Sequence, residues 1–308
     1  MFRLFRELHA AFGASLFIVA VDDGSVREPL PLSSLTGAGA NGAVIRLRRN
    51  VGHQSAICVG LGLVAEHMHP HQRVVVMDSD GEDLPQSIPV LLEALDPDTT
   101  DVVVAQRNKR FETPQFKAFY AIFKLFFALL TGRRIRFGNF MALSPQAVRR
   151  LVAMPELSIH VAGTVLASRL RIRMPLLDRG PRYAGQSKMN FLGLALHGFK
   201  ALMVFAEDVL VRVGVVCCVI AVLAFMGAML AILLKTIGFA TLGWFSIALG
   251  ILVLIFLQTG TLALMSLLLT GVVRSGAIAT PLSYRDLVED ILPTPSQDAL
   301  VSPPPARI

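Results

Sequence analysis

The stretch Val74-Val-Val-Met-Asp-Ser-Asp-Gly-Glu-Asp-Leu-Pro85 passes from an apolar run straight into four carboxylates, Asp78, Asp80, Glu82 and Asp83. A short β-branched run closed by acidic residues, Gly81 and Pro85 reads as a buried strand ending in a loop. Carboxylates crowded this tightly repel one another unless something positive sits among them. Their oxygens are hard ligands, and Mg²⁺ or Mn²⁺ takes one or two of them together with phosphate oxygens and water. The cluster is therefore a candidate metal site of Asp78, Asp80 and Glu82. A solvated acidic turn at a strand end accounts for the same residues without a metal.

Outward from this loop the pattern repeats. Ser15–Val21 is a strand candidate that ends at Asp22-Asp23, and Ala43–Leu47 is another, followed by Arg48–Gln54 and a helix from Ser55 to His67. A helix from about Gln86 to Leu95 precedes Asp101–Ala105, a further strand that ends at Gln106-Arg107. Short buried strands alternating with helices predict an α/β domain with a mainly parallel, doubly wound sheet. Such sheets bind ligands outside the carboxyl ends of their strands. Asp22, Asp23, Asp78, Asp80 and Arg107 all fall there.

The second half has a different character. No charged residue occurs from Val213 to Leu234, nor from Thr236 to Val273. A membrane span needs about 20 apolar residues, so each stretch holds one helix and neither holds two. The expected spans are 209–235 and 243–272, joined by a short outer loop. Lys200, Arg212 and Arg274 flank them and place both ends in the cytoplasm. Gln115–Thr131 is apolar and aromatic but interrupted by Lys117 and Lys124, and Arg133, Arg134 and Arg136 follow it. Residues 115–136 read as a helix lying in the membrane interface, with a plain core helix as the other reading. Residues 275–308 read as a Pro-rich, loosely ordered tail with a short helix near Ser283–Ile291. The expected plan is thus a cytosolic domain over 1–200, a hairpin and a cytosolic tail.

Hydrophobic residues make up 54% of the chain and charged residues 17%, with mean hydropathy +0.60. This is the balance of a membrane-bound protein rather than of an ordinary soluble one. A net charge of +7 suits anionic lipid or phosphate-bearing substrates. No nucleic-acid motif is present, so nucleic acid is not an expected partner. Cys58, Cys217 and Cys218 have neither metal nor disulfide spacing. Met1–Ala11 is charged and amphipathic, unlike a signal peptide, which keeps the front of the chain in the cytosol.

The segments VDDGS (Val21–Ser25), RNVGHQSA (Arg49–Ala56), MDSDGEDLPQSIP (Met77–Pro89), FGNF (Phe137–Phe140) and RYAGQSKMNF (Arg182–Phe191) stand in that order before the hairpin. This set resembles the family-2 glycosyltransferases, and more closely the polyprenyl-phosphate group that contains dolichol-phosphate mannosyltransferase and its undecaprenyl-phosphate relatives. The resemblance spans about residues 1–272. It implies a GT-A fold and inverting transfer from a UDP- or GDP-sugar to a polyprenyl phosphate, and relatives form tetramers. Carried onto matching positions, Asp22 and Asp23 meet the base and ribose, and Asp78 and Asp80 form the DxD pair. Glu82 stands where relatives often place a glutamine near the metal. Arg107 matches an arginine that meets a phosphate, and Arg182 and Lys188 match a basic pair in the loop closing over the diphosphate and the lipid phosphate.

The residue types suit that chemistry. A phosphate monoester is already ionised at neutral pH and needs no strong general base to attack an anomeric carbon. The protein must instead bring two anions together and stabilise a departing nucleoside diphosphate, work for a metal with Arg107, Arg182 and Lys188. Blander readings stay beside these roles. Asp22-Asp23 also suits a plain turn, Arg182 and Lys188 a juxtamembrane basic patch, and His53 and Gln54 read as loop-shaping residues. Relatives open on a strand ending in a segment like PVYNE, whereas Met1–Leu8 already reads as the helix after it. The expected domain therefore lacks its first strand, and a catalytically weak membrane scaffold of the same fold is the alternative function. A processive polysaccharide synthase ranks low, because no QxxRW segment is present and Trp244, at the start of the second apolar stretch, reads as an interface anchor.

Overall fold

The computed structural model describes residues 1–107, 124–134, 137–183, 191–239, 243–278 and 284–295. It separates into two compact units, one of Met1–Phe123, Arg134–Val204 and Pro281–Ile308, the other of Lys124–Arg133 and Phe205–Thr280.

In the first unit, β1 (Phe17–Asp22) runs parallel to β2 (Asn41–Leu47), pairing Phe17 with Asn41 through to Asp22 with Arg46. A second sheet has the order β3-β6-β4-β7, with β3 (Val74–Val76), β4 (Val102–Val104), β6 (Met141–Leu143) and β7 (Ile172–Arg173). β6 is antiparallel to both its neighbours, with Leu143 opposite Val74 on one side and Val102 on the other. The expected mainly parallel sheet is thus mixed. β6 follows Phe137–Phe140 at the carboxyl ends of its neighbours, so it can only run back along them. β5 (Gln106–Arg107) pairs with β8 (Leu176–Leu177) in a small separate ladder.

Among the described residues no strand pairs with the outer edge of β1 or of β3. The two sheets therefore share no ladder among the described residues. The helix α1 (Phe2–Phe12) joins them. Phe5 packs with Ala20, Leu35 and Val44 beside the first sheet. Leu4 and Leu8, on the adjoining faces, pack with Val103 and Ala142 of the second. Ile18 of β1 and Val75 and Met77 beside them complete that apolar contact. Residues three and four apart on one helix thus serve two sheets.

After the short α2 (Ser33–Thr36), α3 (His53–His67) covers the first sheet through Ala56, Val59 and Leu63 against Ile45 and Leu47. At its start, Gln54 Oε1 accepts the Val161 amide at 2.6 Å and so caps the helix Val161–Ala167. His160 Nδ1 accepts the Gly163 amide at 2.9 Å in the same cap. Its other nitrogen, Nε2, then carries the proton and donates to His197 Nε2, 3.1 Å away on the helix Phe191–Met203. Burial pulls His160 down to about 3, so this contact is between neutral rings. It fastens the last helix of the unit to its core.

The tail departs from expectation. In place of a loose segment with a short helix, Tyr284–Leu287 forms a 3-10 turn and β9 (Val288–Pro293) adds antiparallel to β2. The Tyr284 ring fills the space over Gly62, where a Cβ would lie 2.6 Å from the ring. Local propensity for a charged, short stretch is weak, and the open edge of β2 with the apolar side of α3 overrides it.

The second unit holds two long helices, Ala206–Thr236 and Trp244–Ile278, both long and apolar enough to cross a membrane. Small residues, Gly214, Cys217, Ala221 and Ala224, are buried on the first, with Ala263 and Ser266 buried on the second, while Val215, Leu223, Leu254 and Leu268 face outward. Close backbone approach on small residues with aliphatic side chains outside is how helices pair in lipid. Within residues 115–136, expected as one helix, the described 124–131 are helical and expose Leu125, Phe126 and Leu129. Phe127 packs edge-on against Phe205.

Deleting residues 281–308 should expose the β2 edge. Amide exchange of the peptide Ala43–Arg48, read by mass spectrometry on the detergent-solubilised chain, is expected to speed at least about tenfold, because the Arg48 amide loses the Leu287 carbonyl and β2 its neighbour. Unchanged exchange would mean that β9 does not pair there.

Candidate functional site

The end of β1 organises the first part of the site. Asp22 is buried, and its carboxylate accepts the amides of Ser25 (3.1 Å) and Leu30 (2.7 Å). Asp23 accepts the amides of Val51 (2.7 Å) and Gly52 (2.9 Å), which pins the segment before α3. Gly24 makes the approach possible, since its φ is +67° and a Cβ there would lie 2.4 Å from the Arg49 backbone. Both aspartates therefore shape this rim through backbone amides.

The acidic loop lies beside it, at the end of β3. Buried Asp83 is internal, accepting the Asp78 amide at 2.9 Å and closing the loop on itself. Asp80 accepts the Glu82 amide at 3.0 Å across Gly81, whose φ is +91°. Asp78 Oδ1 lies 3.2 Å from His53 Nε2, and the Asn139 amide group lies 2.9 Å from that same nitrogen. The hydrogen bond to Asp78 raises the His53 pKa above its usual value. His53 is thus more than a loop-shaping residue, whereas Gln54 is that.

The neutralising charge comes from the loop after β8. Arg182 Nε donates to Glu82 Oε1 at 2.9 Å, and its Nη2 lies 3.2 Å from Asp80 Oδ2. Arg179 Nη2 reaches the other oxygen of Glu82. The backbones are stitched as well, with Gly180 N donating to Glu82 O and Tyr183 N to Asp80 O, both at 2.9 Å. Burial lowers the Arg179 pKa. A cleft here is lined by Glu82, Ala105, Gly138, Phe140, Leu177 and Arg179.

The structure so brings together Asp78, Asp80, Glu82 and Arg182, with Asp22 and Asp23 on the adjoining rim. Arg107 lies in β5, its backbone paired with that of Leu177 in β8, a residue that lines the cleft. Lys188 falls outside the described residues. Sequence reasoning missed Arg179 and the placement of His53 and Asn139. The Arg-x-x-Arg spacing of residues 179 and 182 was the available signal for the first, while the other two depend on long-range packing.

Among the described residues no three His, Cys, Asp or Glu side chains converge as a metal cage. The donor set still fits a hard divalent cation of the kind that takes few protein ligands and completes its shell with phosphate and water. Asp78 and Asp80 are both partly exposed at the mouth of the site. Glu82 is the least accessible of the three, with its two oxygens turned to Arg179 and Arg182.

Known proteins give the same direction. The glycosyl transferase family 2 profile matches residues 5–152. An uncharacterized glycosyltransferase of Synechocystis is 27% identical over 181 residues, which are 56% of this chain and 54% of that protein. The undecaprenyl-phosphate 4-deoxy-4-formamido-L-arabinose transferase of Klebsiella pneumoniae is 25% identical over 234 residues, 73% of this chain and 68% of that one. YkoT of Bacillus subtilis, an uncharacterized glycosyltransferase, is 25% identical over 246 residues, 76% and 69% of the two chains. The chain thus spans about half the length of the first of these relatives and about two thirds of the others.

A raised histidine pKa means that the His53–Asp78 pair contributes fully below the unfolded value of about 6.5 and fades as pH rises through the folded one. The His53 ring, followed by NMR titration, should turn over above about 6.5 and return towards it in Asp78→Asn. An identical midpoint in both proteins would show that the pair does not form.

Proposed function

We propose that this family-2 glycosyltransferase-like chain moves a sugar from a UDP- or GDP-sugar to a polyprenyl phosphate at the cytoplasmic face of the inner membrane. One observation carries the reading. Carboxylates after β3 meet an arginine-bearing loop, with two more aspartates at the end of β1, in a domain whose chain continues into two membrane-length apolar helices. The relative from Klebsiella is named for an undecaprenyl-phosphate acceptor, which favours a lipid phosphate here.

In this reading Asp78 and Asp80 would hold Mg²⁺ or Mn²⁺, which would supply Lewis-acid neutralisation of the donor's diphosphate. Asp22 and Asp23, besides fixing the rim, face the nucleoside. Arg182 presents a planar fork that a diphosphate can take over from Asp80 and Glu82. Glu82, held by Arg179 and Arg182, positions those guanidinium groups more than it ligates a cation. Arg107 and Lys188 bring positive charge to the approaching acceptor. A phosphate oxygen then forms the bond to the anomeric carbon as the bond to the nucleoside diphosphate breaks. Each phosphate is screened by cations fixed beforehand, the main source of rate in such a site.

The chain enters the two long helices from the first unit and returns to it in β9, which supports a hairpin with both ends on the same side. Lys200, Arg212 and Arg274 favour the cytoplasmic side for those ends. The exposed Leu125, Phe126 and Leu129 suit a segment lying against lipid headgroups. The break between β1 and β3 favours the second reading, a weakly active scaffold.

Purified chain with Mn²⁺, labelled sugar nucleotides and undecaprenyl phosphate separates the two. Transfer is expected, and Asp80→Asn should reduce it by about 100-fold or more. Arg182→Ala and Lys188→Ala should each lower turnover at least about tenfold while leaving membrane insertion intact. Absence of transfer with every donor, or full activity in Asp80→Asn, would favour the scaffold.

A further inference from the structure

Besides its direct contacts with the acidic loop, the basic loop is tied to α1, outside both loops. On α1, Arg3 Nε donates to Glu7 Oε1 at 2.8 Å, one turn apart. The Tyr183 hydroxyl donates to the other Glu7 oxygen at 2.6 Å, and the Arg3 guanidinium lies 4.7 Å over the Tyr183 ring. The ring covers Gly81, where a Cβ would stand 2.7 Å from it. Its own backbone amide donates to Asp80 O at 2.9 Å. One tyrosine thus touches α1, the turn between Asp80 and Glu82, and the arginine next to it in sequence.

We infer that Glu7 is a positioning residue and that its hydrogen bond with Tyr183 is a latch, fastening the Arg179–Tyr183 segment over the acidic loop and so setting where the two arginines present themselves to a diphosphate. The chemistry supports a firm closure. The acceptor is a carboxylate, so the bond is charge-assisted and roughly twice as strong as a neutral one. Burial, with the Glu7 hydrogen bond, pushes the phenol up to about 12, and that bond holds Glu7 below the usual carboxylate range. Donor and acceptor therefore keep their protonation states throughout the neutral range. α1 is itself anchored by buried Leu4, Phe5 and Leu8, which gives the latch a fixed post. Releasing it leaves the ring on Gly81 but removes the bond that orients it, and the loop gains freedom to leave Asp80.

The inference rests on the proposed function for its kinetic readout only. Two conservative variants of the full chain in detergent, Glu7→Gln and Tyr183→Phe, test it by limited trypsin digestion, with mass spectrometry of ends formed after Arg179 and Arg182. Cleavage at these two sites should rise roughly tenfold in either variant, the effect of losing one charge-assisted hydrogen bond from a closed state. The double variant should be cleaved no faster than the singles, since both remove the same bond. Cleavage at sites elsewhere in the chain should stay as in the parent. In transfer assays both variants should raise KM for the sugar nucleotide several-fold more than they lower kcat. Parental cleavage rates in both singles, or effects that multiply in the double, would overturn the latch. If the parent transfers no sugar, the proposed reaction falls while the digestion still decides the latch.

Discussion

The site depends on one electrostatic constraint, the need to neutralise the carboxylates at the end of β3. Two unit charges about 4 Å apart near a protein surface repel by roughly 4 kcal/mol, so a loop carrying Asp78, Asp80 and Glu82 cannot stand alone. In this structure the opposing charge is protein-borne. Arg182 bridges Asp80 and Glu82, Arg179 takes the rest of Glu82, and His53 sits on Asp78. Those partners are also the groups a diphosphate would recruit. Carboxylates and arginines that satisfy one another in the free protein can be parted by a divalent cation and a polyanion, each taking one side. In the proposed reaction the crowding would be resolved a second time, by a diphosphate and a divalent cation in place of the arginines.

The scaffold shows how little is needed to aim these groups. Asp22 ends β1 and Asp78 follows β3, two strands that share no ladder, and α1 draws their sheets together through Leu4, Phe5 and Leu8. Apolar packing of a single amphipathic helix, not a shared ladder, links the two sheets among the described residues. Packing of that kind is less directional than a ladder. The cross-links that do fix direction are polar and local: Asp23 on Val51 and Gly52, Gln54 on Val161, and Tyr183 on Glu7. The amino-terminal helix therefore matters to both core and site.

Much of this was legible in the sequence, and for identifiable reasons. Strand ends at Asp22, Asp78 and Arg107 were readable because apolar runs stop abruptly at acidic or basic residues. The two long helices followed from charge-free length alone. What escaped reading was non-local. Nothing around Val288–Pro293 announces that it will lie against β2, since that depends on an edge about 240 residues earlier. The reversed direction of β6 is set by where the chain re-enters the sheet, which periodicity does not encode. His53 and Asn139 read as turn residues until packing brings them to one nitrogen-to-carboxylate contact, and Arg179 lacked a motif of its own. Asp22 and Asp23 were placed correctly at a strand end, but their backbone partners were invisible to pattern reading.

Electron paramagnetic resonance of Mn²⁺ added to the full chain in nanodiscs, with and without a nucleoside diphosphate, bears most directly on the acidic loop. The account predicts that the free-ion signal falls on adding protein, falls further with the diphosphate, and is restored in Asp80→Asn. A signal left undiminished by the folded chain with the diphosphate present, or lost equally in Asp80→Asn, would contradict it.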